Sequence, residues 1–267
     1  MKKPIGIFDS GVGGLTVYKA IRDTFPDEDL IYFGDTARVP YGPKSPNTII
    51  QYSIQNARFL LQQGVKIIIV ACNTSSSVAL PHLQDITKVP VIGVIEPGSE
   101  VALQYSTTKR IGVIGTEGTI RSESYSKAIK SREPQAEVFS QACPLFVPLA
   151  EEGWQDHPVA HAIVQEYLAP LVAKDIDTLV LGCTHYPILI NAIKSFIGDN
   201  VIIVDSANAI AEYLQRLIPE AQDGVKGKDI FYVSDNEDKF AMIASRILGG
   251  RLNSLQRVHL FESWFVD

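Results

Sequence analysis

Cysteine is scarce in this chain of 267 residues: there are three, widely separated, and no C-x-x-C. An odd, dispersed set excludes a disulfide framework and a dithiol redox motif, and favours a reducing cytoplasm. An excess of positive charge is also missing, with 24 Lys and Arg against 30 Asp and Glu and a net charge of −6. The densest basic spots, Lys2-Lys3 and Lys226 to Lys228, are too small to form a stripe. A nucleic-acid partner, which needs clustered cations, is therefore excluded. Long apolar runs are absent as well. The longest, Ile67 to Cys72, falls far short of the roughly 20 residues that span a bilayer, so no membrane association is expected. Met1-Lys2-Lys3 resembles the start of an export signal, but Asp9 breaks the apolar stretch behind it. A soluble, cytoplasmic protein is expected.

What the chain does have is alternation. Hydrophobic residues make up 46% of it, ample for a core. Short β-branched runs predict strands at Ile5–Phe8, Leu30–Phe33, Val65–Ala71, Val91–Ile95, Ile111–Ile114, Glu137–Ser140, Thr178–Leu181, Val201–Val204 and Ile230–Val233. Several are continuously apolar, as parallel strands covered on both faces must be. Helical stretches lie between them. Ser45-Pro46 supplies an N-cap and a first-turn proline, and Ile50, Ile54, Ala57 and Leu61 then recur at helical spacing. The fold class expected is α/β, with doubly wound, mostly parallel sheets.

The chain also resembles itself. Ile5-Gly6-Ile7-Phe8 before a Gly-rich turn is echoed by Ile111-Gly112-Val113-Ile114 before Gly115-Thr116-Glu117-Gly118. Ile67-Ile68-Ile69-Val70-Ala71-Cys72-Asn73-Thr74 is echoed by Leu179-Val180-Leu181-Gly182-Cys183-Thr184-His185. The offsets are similar, 106 residues from Ile5 to Ile111 and 111 from Cys72 to Cys183. Two similar lobes related by a pseudo-two-fold are expected, with residues 1–97 plus 208–267 forming the first and 98–207 the second. Ligands of such folds bind at the carboxyl ends of the strands. The cleft between the lobes would therefore receive Asp9-Ser10, Cys72-Asn73-Thr74 and Cys183-Thr184-His185.

Cys72 and Cys183 each end an apolar strand and precede residues suited to start a helix. A helix N-terminus offers free N–H groups and partial positive charge, which should lower a thiol pKa and attract a carboxylate. Two thiols on opposite sides of one carbon are what two-base racemisation requires. The bland reading of a strand-end cysteine is core packing; two in matched positions of a repeat favour function. Cys143 lacks that context and reads as a packing residue. Asp9-Ser10-Gly11-Val12-Gly13-Gly14 does not complete G-x-G-x-x-G, since Thr16 stands at the last glycine, and it lacks Gly-Lys-Ser/Thr. Asp9 suits a role beside a thiol or a substrate ammonium, or a simple turn. His157 and His161 lack a third metal-ligand pattern, whereas His185 is placed to exchange a proton or orient Cys183. No lysine suggests a pyridoxal phosphate Schiff base, so neither cofactor nor metal is expected.

Four motifs now stand in order: Ile5-Gly6-Ile7-Phe8-Asp9-Ser10-Gly11-Val12-Gly13-Gly14-Leu15-Thr16-Val17, Gly34-Asp35-Thr36-Ala37-Arg38-Val39-Pro40-Tyr41-Gly42, Ala71-Cys72-Asn73-Thr74-Ser75-Ser76 and Leu181-Gly182-Cys183-Thr184-His185-Tyr186-Pro187-Ile188-Leu189. Together they resemble the glutamate racemase family, over essentially the whole chain. The resemblance implies cofactor-independent interconversion of L- and D-glutamate, supplying D-glutamate for peptidoglycan, and a homodimer. It implies Cys72 and Cys183 as the acid/base pair, with Cys72 deprotonating D-glutamate and Cys183 L-glutamate. Asp9 would assist Cys72, and His185 and Glu152 would assist Cys183. Ser10, Tyr41, Gly42, Asn73, Thr74 and Thr184 would bind substrate, together with Asp9 and His185 and, more weakly supported, Thr116 and Thr119. The nearest rival is an aspartate racemase of the same superfamily, against which Asp9-Ser10 and His185 speak. A further alternative is a two-lobed protein that captures an acidic ligand without altering it.

Overall fold

The computed structural model describes residues 2–218 and 225–260. The chain opens with β1 (Ile5–Asp9), α1 (Leu15–Thr24), β2 (Leu30–Gly34), α2 (Pro46–Gln62), β3 (Ile67–Val70), α3 (Asn73–Ile86), β4 (Val91–Gly93) and α4 (Ile95–Tyr105). It continues with β5 (Arg110–Gly115), α5 (Glu117–Ser122), α6 (Ser124–Arg132), β6 (Glu137–Ala142), α7 (Phe146–Glu151), α8 (Pro158–Val172), β7 (Thr178–Gly182), α9 (Ile190–Ile197) and β8 (Ile202–Asp205). Last come α10 (Ser206–Gln215), β9 (Asp229–Val233), α11 (Glu237–Leu248) and β10 (Leu255–Arg257). No described helix is long and apolar enough to cross a membrane.

These strands form two sheets, parallel throughout. One runs β10-β9-β2-β1-β3-β4, the other β6-β5-β7-β8. The order β2-β1-β3-β4 matches β6-β5-β7-β8 strand for strand, so β1 corresponds to β5 and β3 to β7. The internal echo in the sequence is thus an echo of topology. Both faces of each sheet are buried by helices. Ile5, Ile7, Ile67 and Ile69 join one core and Phe8, Ile68 and Val70 the other, following the two-residue period of a strand. In the second sheet Leu179 and Leu181 face one core and Val180 the opposite one. Gly6 and Gly112 occupy matched positions for a shared reason. A Cβ at Gly6 would lie 2.9 Å from Val65 Cγ1, and one at Gly112 2.7 Å from Ile176 Cδ1. The shared glycine lets a neighbouring apolar side chain close against the strand.

Three details differ from the expectations. The strand expected at Val65–Ala71 spans only Ile67–Val70. The apolar run at 91–95 ends as a strand at Gly93, because Ile95 already begins α4. β10 went unpredicted: it is three residues long, and Gln256 and Arg257 are exposed. The tail assigned to the first lobe includes residues 219–224 and 261–267, which lie outside the described residues.

The chain crosses between the sheets at two places. Val94 packs into the first sheet's core and Ile95 into the second's. Val204 belongs to the second core, whereas Ala207, Ile210 and Leu214 of α10 belong to the first. α4 and α10 pack together, tied by Arg216 to Glu100 at 2.5 Å. Another tie is fully buried: Tyr125 of α6 donates its hydroxyl to Asn73 Oδ1 on α3 at 2.7 Å. Replacing Tyr125 with Phe removes that donor from a buried carbonyl oxygen and should cost about 1–3 kcal/mol. Chemical denaturation of the variant measures this, and unchanged stability would exclude a bridging role for the hydroxyl.

Candidate active site

The carboxyl ends of β1, β3, β5 and β7 converge where the two sheets meet. A cavity of about 40 Å³ lies there, and both Cys72 and Cys183 line it. Ser10, Tyr41, Gly42, Asn73, Thr74, Thr116, Thr184 and His185 share its wall, with Val39, Pro40, Val147 and Glu151. Asp9, fully buried, and Thr119 sit directly behind, bonded to Thr184 and Thr74 respectively. A groove of about 420 Å³ adjoins the cavity and shares Val39, Pro40, Gly42, Thr116, Val147 and Glu151 with it. A larger cavity of about 550 Å³, against α1, α10 and α11, contains neither thiol.

Cys72 follows β3 as the N-cap of α3, and its Sγ accepts from the Ser75 N–H at 3.5 Å. A lowered thiol pKa was expected there; the reverse is found. Burial, then the nearby Asp9 carboxylate, push the thiol up to about 11, outweighing the hydrogen bonds from Ser75 and Ser10. Cys183 differs from the expectation in another way. The turn after it is a short 3₁₀ segment, Tyr186–Leu189, and α9 starts only at Ile190. Its partner is instead His185, whose Nδ1 lies 3.9 Å from Cys183 Sγ. His185 Nε2 lies 3.2 Å from Glu151 Oε1, and Lys239 of α11 reaches Glu151 Oε2 at 3.4 Å. Burial opposes charge on His185, but Cys183 and Glu151 together raise its pKa to about 10, so it holds a proton at neutral pH.

The acid expected beside His185 was Glu152, and this is corrected: Glu151 holds the place. Val147 and Glu151 are four apart on α7 and turn the same face to the cavity, whereas Glu152 is exposed and lines the outer groove. That i, i+4 relation was a signal available in the sequence. Lys239 and Thr16 were missed because their contacts depend on tertiary packing. Thr16 donates to the Gly13 and Thr184 carbonyls, both at 3.0 Å.

The junction is held tightly. Asp9 accepts from Gly11 N–H at 2.9 Å and from Thr184 Oγ1 at 3.4 Å. Burial raises its carboxyl pKa, against the pull of His185 and of these donors. A Cβ on Gly13 would lie 2.4 Å from His185 Nδ1, so only glycine lets the first loop approach the imidazole this closely. Thr74 and Thr116 pair across the junction at 2.8 Å, and the Gly118 N–H donates to the Gly42 carbonyl at 2.9 Å. Two expected substrate ligands have engaged side chains. Tyr41 donates its hydroxyl to Asp35 and accepts from Asn56, while Asn73 is held by Tyr125 and Ser206. Cys143, buried and hydrogen-bonded to the Gln141 carbonyl, lies in the core. Among the described residues, no group of three or more His, Cys, Asp or Glu is arranged to hold a metal ion.

The sequence of the Asp/Glu/Hydantoin racemase family matches residues 5–214. A glutamate racemase from Geobacter metallireducens is 51% identical over 262 residues, covering 97% of each chain. The crystal structure of glutamate racemase isoform RacE1 from Bacillus anthracis aligns with a TM-score of 0.93 at 39% identity, covering 97% of this chain and 98% of that one. Glutamate racemase from Francisella tularensis, in complex with D-glutamate, aligns with a TM-score of 0.91 at 39% identity and the same coverage.

The proton on His185 makes stability depend on pH. Its pKa rises from 6.5 to about 10 on folding, so its contribution is full below pH 6.5 and disappears as pH rises through about 10. Thermal unfolding should show the advantage of the wild type over His185→Asn shrinking across that window. A difference independent of pH would show that His185 folds uncharged.

Proposed function

The chain belongs to the Asp/Glu/Hydantoin racemase family and is a racemase, and we propose that it interconverts L- and D-glutamate with Cys72 and Cys183 as its two bases. The observation that carries this reading is the single cavity lined by both sulfurs. The Cys72 thiolate takes the Cα proton of D-glutamate, and the Cys183 thiol delivers its own proton to the opposite face. L-glutamate leaves, with the proton on Cys72 and the negative charge on Cys183, which is the form that accepts L-glutamate for the reverse turnover. Both transfers run between carbon and sulfur, so the cycle is complete without a cofactor.

The Cα proton of an amino acid is far less acidic than a thiol, so the carbanion-like transition state needs fixed dipoles and a dry site. Gly42, Thr74, Thr116 and Thr184, with the backbone at Ser10, Tyr41 and Asn73, supply donors for the two carboxylates. Asp9 serves the Cys72 side. His185 serves the Cys183 side, with its imidazolium against the sulfur and Glu151, in place of Glu152, orienting it. A space of about 40 Å³ holds a few waters at most, so glutamate enters only when the walls shared with the outer groove part. That motion fits two lobes divided near residues 97 and 207. The same reading makes the protein a cytoplasmic homodimer that supplies D-glutamate for peptidoglycan.

Incubation with L-glutamate in heavy water tests the assignment, since racemisation through a thiol places solvent deuterium at Cα of the D-product. Cys72→Ala and Cys183→Ala should each lower racemisation by about 10²–10⁴-fold or more, with unfolding temperatures near that of the wild type. Full turnover by either variant, or D-glutamate that retains its original Cα hydrogen, would defeat the two-thiol reading.

A further inference from the structure

One buried polar group beside the site has no partner. Ser75, in the first turn of α3, is fully buried, and its hydroxyl makes no hydrogen bond. An unpaired buried hydroxyl carries an uncompensated desolvation penalty, whereas replacing it by an apolar group is neutral or stabilising. Its position is specific: the Ser75 backbone N–H is the donor to Cys72 Sγ. The hydroxyl lies near enough to that same thiol to favour its ionised form, without a hydrogen bond to it in its present orientation.

The two thiols differ in what faces them. Cys183 has the charged His185 imidazole, itself held by Glu151 and Lys239. Cys72 has Asp9 and Tyr32 from the first sheet and Tyr41 from the loop before α2, with Cys183 and His185 across the cavity. The charged group that acts on it most strongly is the acid Asp9, which disfavours a thiolate. Hydroxyl and amide dipoles must then carry the stabilisation that a cation provides on the other side.

We propose that Ser75 is a positioning residue whose hydroxyl, unpaired while Cys72 is a thiol, turns to donate to Sγ each time Cys72 becomes a thiolate. The inference rests on the reading of Cys72 as a base. In that reading Cys72 is ionised each time it delivers its proton to Cα, and the hydroxyl finds its acceptor at that moment. The site accepts a penalty in the resting state so that a dipole is already in place for the charged one.

The test compares Cys183→Ala with Cys183→Ala/Ser75→Ala, following iodoacetamide alkylation of Cys72 against pH by mass spectrometry of the Cys72 peptide. Hydrogen bonds to charged groups are stronger than neutral ones, so loss of the hydroxyl should move the alkylation midpoint up by about one pH unit or more. In the otherwise wild-type protein, Ser75→Ala should lower kcat about ten-fold with little change in KM, and the unfolding temperature should stay constant or rise. An unmoved midpoint, or a fall in unfolding temperature as for a satisfied hydrogen bond, would overturn the role of Ser75. Turnover by Cys72→Ala separates the two ideas. Activity there removes the base assignment itself, whereas an inactive Cys72→Ala with an unmoved midpoint removes only the inference on Ser75.

Discussion

Desolvation at the junction of the two sheets is the largest influence on the ionisation of Asp9, Cys72 and His185. Asp9, Cys72, Cys183 and His185 are all buried where water-sized space amounts to about 40 Å³. In such a place a charge survives only beside a fixed partner. Asp9 and Cys72 are driven toward their neutral forms by burial. His185 keeps its proton because a sulfur and a carboxylate flank its two ring nitrogens. The same dryness that penalises these charges at rest strengthens every dipole aimed at a charge that develops on substrate.

A repeated fold has produced two unlike halves of one site. β3 and β7 are topological equivalents, and each delivers a cysteine at its carboxyl end. Beyond that point the halves diverge. After Cys72 the chain enters a helix at once and turns the Ser75 N–H toward the sulfur. After Cys183 it makes a 3₁₀ turn through Pro187, which leaves His185 free to pair with both Cys183 and Glu151. One thiol is served by neutral dipoles and the other by a cation. On the proposed two-thiol reading, a reaction that runs in both directions does not require its two bases to be equivalent.

Much of this was legible in the sequence where local chemistry decides the outcome. Apolar runs such as Ile67–Val70 and Leu179-Val180-Leu181, rich in β-branched residues and too short for a helix, read as strands buried on both faces, and the glycine shared by Ile5-Gly6-Ile7 and Ile111-Gly112-Val113 exposed the repeat. The residues at strand ends, from Asp9 to His185, followed from the placement of ligands in parallel sheets. What stayed hidden depends on depth or on helical phase. The rise in the Cys72 pKa is a matter of burial, which a helix-start pattern does not report. The choice between Glu151 and Glu152 turns on a rotation of about 100° per residue around α7, fixed by which face Val147 presents. Lys239, nearly ninety positions beyond Glu151, meets it only through the packing of α11.

The two chain crossings, at Val94–Ile95 and between Val204 and Ala207, lead into α4 and α10, which pack against each other. A body joined to another at two neighbouring points keeps one easy freedom, rotation about the line through both. Sliding of one sheet past the other would stretch both connections at once. The kinematics therefore favour a door over a drawer. In the proposed opening, the sulfurs would separate along an arc and return to the same register, guided by these two connections.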